Sequence, residues 1–151
     1  GQDSLHCITA DSLNLGPRDT QDFLQRARGT HFFSVDGCHE VVHTINDVEF
    51  AMSVTTPKGI ISVDDYTNAN WPGVQEAIAK MYLMGSYRFV PLAVTSNKLL
   101  LCSLSYHQRY LGLIRTYIQT HFPKTQIKMV KRFGFDTLTI TPKTQTWVDL
   151  V

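Results

Sequence analysis

The residues best able to do chemistry are acidic, and they close short hydrophobic runs. Asp11-Ser12 follows the run 5–10, Asp36-Gly37 follows 32–35, and Asp64-Asp65 follows 60–63. An aspartate after a strand also makes a good turn former or helix cap, so one alone says little. Three at one topological position say more, because ligands of open α/β sheets bind outside the carboxyl ends of the strands. Asp64 and Asp65 repel each other, and Asp36 beside them adds to the repulsion. A divalent cation would relieve it, and an all-carboxylate set suits magnesium, calcium or manganese, magnesium first. His39 stands three residues after Asp36. There an imidazole could act as a general base near neutral pH, or be an exposed residue of the first helical turn.

Other reactive side chains have weaker cases. His39 and His43 are one helical turn apart, a spacing that suits zinc, but they lack a nearby third ligand of the HExxH kind. His6 lies inside the first run. Cys38 sits among acidic residues, which oppose a thiolate. Asp47 is expected mid-helix on a solvated face, away from the rim. Asn68, Asn70 and Trp71 occupy a loop after the double aspartate, where they could select a substrate or anchor the loop.

The elements that must position these groups are readable from periodicity. Runs 5–10, 32–35 and 60–63 are expected strands. A helix is expected to open at Asp19 and end at Gly29. The stretch 39–55 is the clearest helix, because Val41, Ile45, Val48 and Met52 recur at spacings of four, three and four. Pro57-Lys58-Gly59 is expected to break the chain before the next strand. A further helix is expected over 74–84. Runs 89–94 and 98–104, joined by Thr95-Ser96-Asn97, read as a hairpin. An amphipathic helix is expected over 106–122, with Tyr110, Leu113, Ile114 and Ile118 inward. Two last strands flank Gly134, at 127–131 and 137–141. Strands alternating with helices imply an α/β class, Rossmann-like, with a mostly parallel sheet covered on both faces and an antiparallel edge. No linker or repeat divides residues 1–151, so one domain is expected.

Composition narrows the function classes. The chain has 151 residues, 43% of them hydrophobic and 18% charged, which supports a packed core and not disorder. Its net charge of +1 is spread without a basic block, so no nucleic-acid partner is expected. No apolar run approaches roughly 18 residues, so no membrane span is expected. Cys7, Cys38 and Cys102 are an odd set without CxxC spacing, which points to reduced thiols and a cytoplasmic setting.

Two segments carry a resemblance. One is Phe32-Phe33-Ser34-Val35-Asp36-Gly37-Cys38-His39-Glu40, followed by a helix bearing Asp47. The other is Pro57-Lys58-Gly59-Ile60-Ile61-Ser62-Val63-Asp64-Asp65-Tyr66, followed by Trp71-Pro72-Gly73-Val74. Together they resemble the fourth and fifth strand motifs of class I S-adenosylmethionine-dependent methyltransferases, in the branch that reads IDGxH and then DDY…WPGV. Asn97-Lys98-Leu99 and Phe133-Gly134 fit the same branch. The resemblance implies methyl transfer to a hydroxyl of a small molecule. It also implies that Asp11 and Ser12 border the adenine of S-adenosylmethionine, with Asp36 near its methionine end. Asp36, Asp64 and Asp65 would match the metal-ligand positions, and His39 the base of the macrolide-sugar branch.

The glycine-rich loop that would grip the cofactor has no counterpart here, since Gly1, Gly16 and Gly29 form no GxG before Asp36. The fold is therefore expected to be incomplete in its N-terminal half: a truncated domain, a half completed by another chain, or a non-catalytic relative. Exposed strand edges would favour a homo-oligomer.

Overall fold

The computed structural model describes residues 9–14 and 17–142. The strand expected at 5–10 lies outside them, save for Thr9 and Ala10, which carry no regular structure. A single 3-10 turn, Ser12–Asn14, comes first. Helix α1 (Pro17–Ala27) leads through Gly29, at φ 86°, into β1 (Thr30–Val35). Then come α2 (Val41–Val54), β2 (Thr55–Val63), α3 (Pro72–Met84), and the hairpin β3 (Phe89–Val94) and β4 (Leu99–Ser103). After a second 3-10 turn, α4 (His107–His121) precedes the hairpin β5 (Gln126–Arg132) and β6 (Phe135–Thr141).

The six strands form one mixed sheet in the order β1-β2-β4-β3-β6-β5. The class is α/β, but the sheet is not mostly parallel: β1–β2 and β3–β6 pair parallel, and the other three pairings are antiparallel. The hairpin causes the difference. β4 folds back between β2 and β3 and does not lie at an edge, because Leu99 and Leu101 face one side of the sheet and Leu100 and Cys102 the other, and both sides are covered. Burial pushes the Cys102 thiol up to about 12, so it is inert.

Helices do cover both faces. Val48, Ala51 and Met52 of α2 and Val74, Ile78 and Met81 of α3 pack on one face with Ile61, Val63, Phe89 and Leu101. Leu111 of α4 packs on the other with Leu92, Ala93 and Leu138, and Tyr110 and Ile114 support it. Leu113 is 55% exposed, and Leu111 takes the inward place expected of it. Buried His107 sets that rotation: its Nε2 reaches Pro91 O (3.1 Å) and Asp136 O (2.9 Å), bridging β3 and β6.

Pro57-Lys58-Gly59 does not separate α2 from β2. The strand follows the helix directly, and the Pro-Gly stretch is its irregular start. The β1 register jumps from Thr30↔Thr55 to Phe32↔Ile60, and β4 pairs only from Ile60 onward. Pro57, which has no N–H, thus needs no ladder partner. Among the described residues no helix is long and apolar enough to cross a membrane.

Candidate functional site

The parallel β1–β2 pairing creates the rim. Val35 sits opposite Val63, and the Asp64 N–H donates to Val35 O at 2.9 Å, so Asp36 and Asp64 emerge side by side. The chain then enters two helices whose N-termini meet at the same place. A Cβ on Gly73, in the first turn of α3, would lie 2.5 Å from His39 O, so only glycine allows this approach. Pro72 begins α3, where a missing N–H is harmless. The helix N-termini carry partial positive charge, which favours the acidic rim.

His39 is the centre of the arrangement. Its Nε2 lies 2.9 Å from Asp65 Oδ2 and 4.0 Å from Asp36 Oδ1. The 2.9 Å contact is too poorly aligned for a hydrogen bond, leaving buried Nε2 without a hydrogen-bond partner. The ring stacks on Trp71, with centroids 4.7 Å apart and planes 22° apart. Asp36, His39 and Asp65 each offer one ligand atom, all within 4.8 Å of one another. A cavity of about 10 Å³, room for one water-sized occupant, opens beside Asp36, His39, Thr44 and Asp64.

Asp64 faces elsewhere. Its Oδ2 pairs with Lys98 Nζ at 2.5 Å, and its Oδ1 accepts from Asp65 N (2.9 Å) and Asn97 Nδ2 (3.1 Å). Lys98 chiefly holds Asp64 below the usual carboxylate range. Asp65 stands in the left-handed region at φ 53°, which aspartate tolerates better than most residues. Its Oδ1 accepts from Asn68 Nδ2 and Asn97 Nδ2, both at 2.9 Å, and these amides hold its carboxyl low. Two of the three expected metal carboxylates thus converge, His39 joins them, and Asp64 is turned to Lys98.

The loop after Asp65 is a chain of turns. Asn68 N reaches Asp65 O, Trp71 N reaches Asn68 O, and Thr67 Oγ1 donates to Ser96 O. Asn68 therefore supports Asp65, and Trp71 is both anchor and partly exposed wall. Tyr66 is buried, receives Arg132 Nη1 at 2.9 Å on its hydroxyl, and donates its N–H to Asn97 O. Asn97 and Lys98 were not read as site residues. Their sequence signals were the polar turn between two apolar runs and the fit of Asn97-Lys98-Leu99 to the resembling branch, neither of which gives them a role at the rim.

Asp11 and Ser12 are in a different situation. Asp11 caps its own turn, accepting from Leu13 N (3.0 Å) and Asn14 Nδ2 (2.6 Å), and these bonds lower its carboxyl. Its Oδ1 lies 3.6 Å from His43 Nε2, and Ser12 O accepts from Asn46. The pair therefore packs along α2 with both carboxylate oxygens engaged. Asp47 is closer to the rim than its mid-helix place suggested, with Oδ2 3.1 Å from where a Gly37 Cβ would stand. Cys38 is exposed. A wider concavity, about 400 Å³ beside Glu49, Tyr87 and Arg88, opens at the other end of the sheet. Arg88 is already bound there to Met52 O and Thr55 O. Compared with protein-family models, curated proteins and solved structures, the chain matches none.

Proposed function

We propose that this chain is the acceptor side of an S-adenosylmethionine-dependent O-methyltransferase domain, which holds a divalent cation at the strand-end rim against a hydroxyl of a small molecule. One observation carries the reading: Asp36, His39 and Asp65 converge within 4.8 Å from the ends of two neighbouring parallel strands. The donor set fits a divalent ion, and the buried, unpartnered Nε2 of His39 is the kind of atom an ion would satisfy. A bound ion would act as a Lewis acid on the substrate hydroxyl. Asp36, with its side chain 57% exposed, faces the side from which substrate would come. Trp71, 46% exposed, offers a flat wall to it. His39 stands where a proton acceptor or a ligand would stand.

The described residues do not fit the cofactor in the same way. They contain no glycine-rich loop, and Asp11 is engaged in its own turn. The cofactor grip would come from strands pairing on β1, the edge of the described sheet, where Phe32 is 63% exposed.

The test is calorimetric titration of the chain with manganese, then with S-adenosylmethionine, followed by transfer of a labelled methyl group to hydroxylated acceptors in protein that also carries the cofactor loop. Metal-dependent transfer is expected. Turnover unaffected by a chelator would refute the metal role. A second reading, a non-catalytic Rossmann-like interaction domain, is favoured by the engagement of Asp11. It expects self-association and no heat with the cofactor even when the loop is present.

A further inference from the structure

We infer that Lys98 withdraws Asp64 from the metal-binding set and that His39 takes its place, so the rim selects a first-row transition ion such as manganese or iron over magnesium. This rests on the metal-binding reading above and names the ion class for the same site.

Three observations carry it. Both oxygens of Asp64 are in use, Oδ2 by the Lys98 ammonium and Oδ1 by the Asp65 N–H and the Asn97 amide. Releasing Asp64 to an ion would strand the Lys98 charge beside that ion. Asp65, in contrast, is held by two amides on Oδ1 alone, which leaves Oδ2 turned toward His39, 2.9 Å away. Fixing one oxygen to aim the other is how outer partners orient a ligand. Third, the His39 ring stacks on Trp71 while its backbone oxygen lies against Gly73 of α3, and its buried Nε2, without a hydrogen-bond partner, faces both carboxylates.

The charges agree. Asp36 and Asp65 together neutralise a divalent ion, and Lys98 neutralises Asp64. The geometry needs little adjustment. Donors around an ion with bonds near 2.1 Å lie at most about 4.2 Å apart. The three donor atoms already lie within 4.8 Å of one another, and Asp36, with its side chain 57% exposed, has room to turn inward. Magnesium favours oxygen donors and retains its waters, whereas imidazole suits transition ions.

The experiment titrates manganese and magnesium separately into the full chain, as wild type and as His39→Gln, Asp64→Asn and Lys98→Met. Electron paramagnetic resonance of the manganese-loaded wild type reads nitrogen coupling directly and needs no variant. Manganese is expected to bind at least about tenfold more tightly than magnesium, with coupling to one nitrogen. His39→Gln should abolish that preference. Asp64→Asn should change manganese affinity by less than about threefold, whereas Lys98→Met should tighten magnesium as Asp64 is released. Loss of manganese in Asp64→Asn as severe as in His39→Gln, or manganese bound without nitrogen coupling, overturns the assignment. Binding of neither ion overturns it together with the metal reading. Nitrogen-coupled manganese without any methyl transfer leaves it standing and removes only the methyltransferase reading.

Discussion

His39 Nε2 lies 2.9 Å from Asp65 Oδ2, yet the imidazole and the carboxylate are not aligned as donor and acceptor. Two groups held this close by other bonds, and poorly satisfied by each other, are poised for a third. Asp65→Asn keeps an oxygen for Asn68 and Asn97 but removes the charge. It should leave the fold intact and weaken divalent-ion binding by more than the roughly 10–100-fold cost of losing an outer partner. Calorimetry alongside circular dichroism checks both halves.

Gly73→Ala tests the helix approach. Alanine in a helix should gain about 1 kcal/mol over glycine. Here its Cβ would meet the backbone oxygen of His39 at 2.5 Å, and a backbone atom yields less easily than a side chain. Overpacking of this kind costs about 1–3 kcal/mol, so net destabilisation is expected. A melting temperature above wild type would show that the two helices are not in close contact.

Acid should weaken the rim. Lys98 lowers Asp64, and Asn68 and Asn97 lower Asp65, each from an ordinary value of 3.8. The unfolded chain therefore binds more protons, and stability rises with pH through this range. The contribution is fully present above about pH 5 and is lost as pH falls below about 4. Acid unfolding of wild type and Lys98→Met should converge at low pH and separate above it, where Lys98→Met loses that contribution.

His107 should matter to the fold and not to the rim. His107→Ala leaves Pro91 O and Asp136 O without their bridging donor at a buried position. An unsatisfied buried group costs about 1–3 kcal/mol. Chemical denaturation should show that loss, while manganese affinity of the folded fraction should stay unchanged.

Much of the fold was legible because it depends on local pattern. The stripe that includes Val48 and Met52 produced α2. The polar turn at 95–97 produced the first hairpin, and Gly134, at φ 87°, the second. The inward face of α4 was misread at Leu113, because both leucines fit the period and only His107, fastened to two strands, fixes the rotation. The start of β2 was also misread, because Pro57 and Gly59 punctuate a chain in most contexts and only the missing ladder partners make them harmless.

By itself the sequence determined an α/β chain whose strands end in aspartates, with His39 close behind Asp36. These depend on hydrophobic period and on neighbours along the chain. Only the tertiary structure decided that β4 enters the sheet between β2 and β3, bringing Asn97 and Lys98 onto the Asp64-Asp65 turn. Adjacent aspartates look alike in sequence. A lysine arriving from over thirty residues away neutralises one of them, and the other is left with His39 and Asp36.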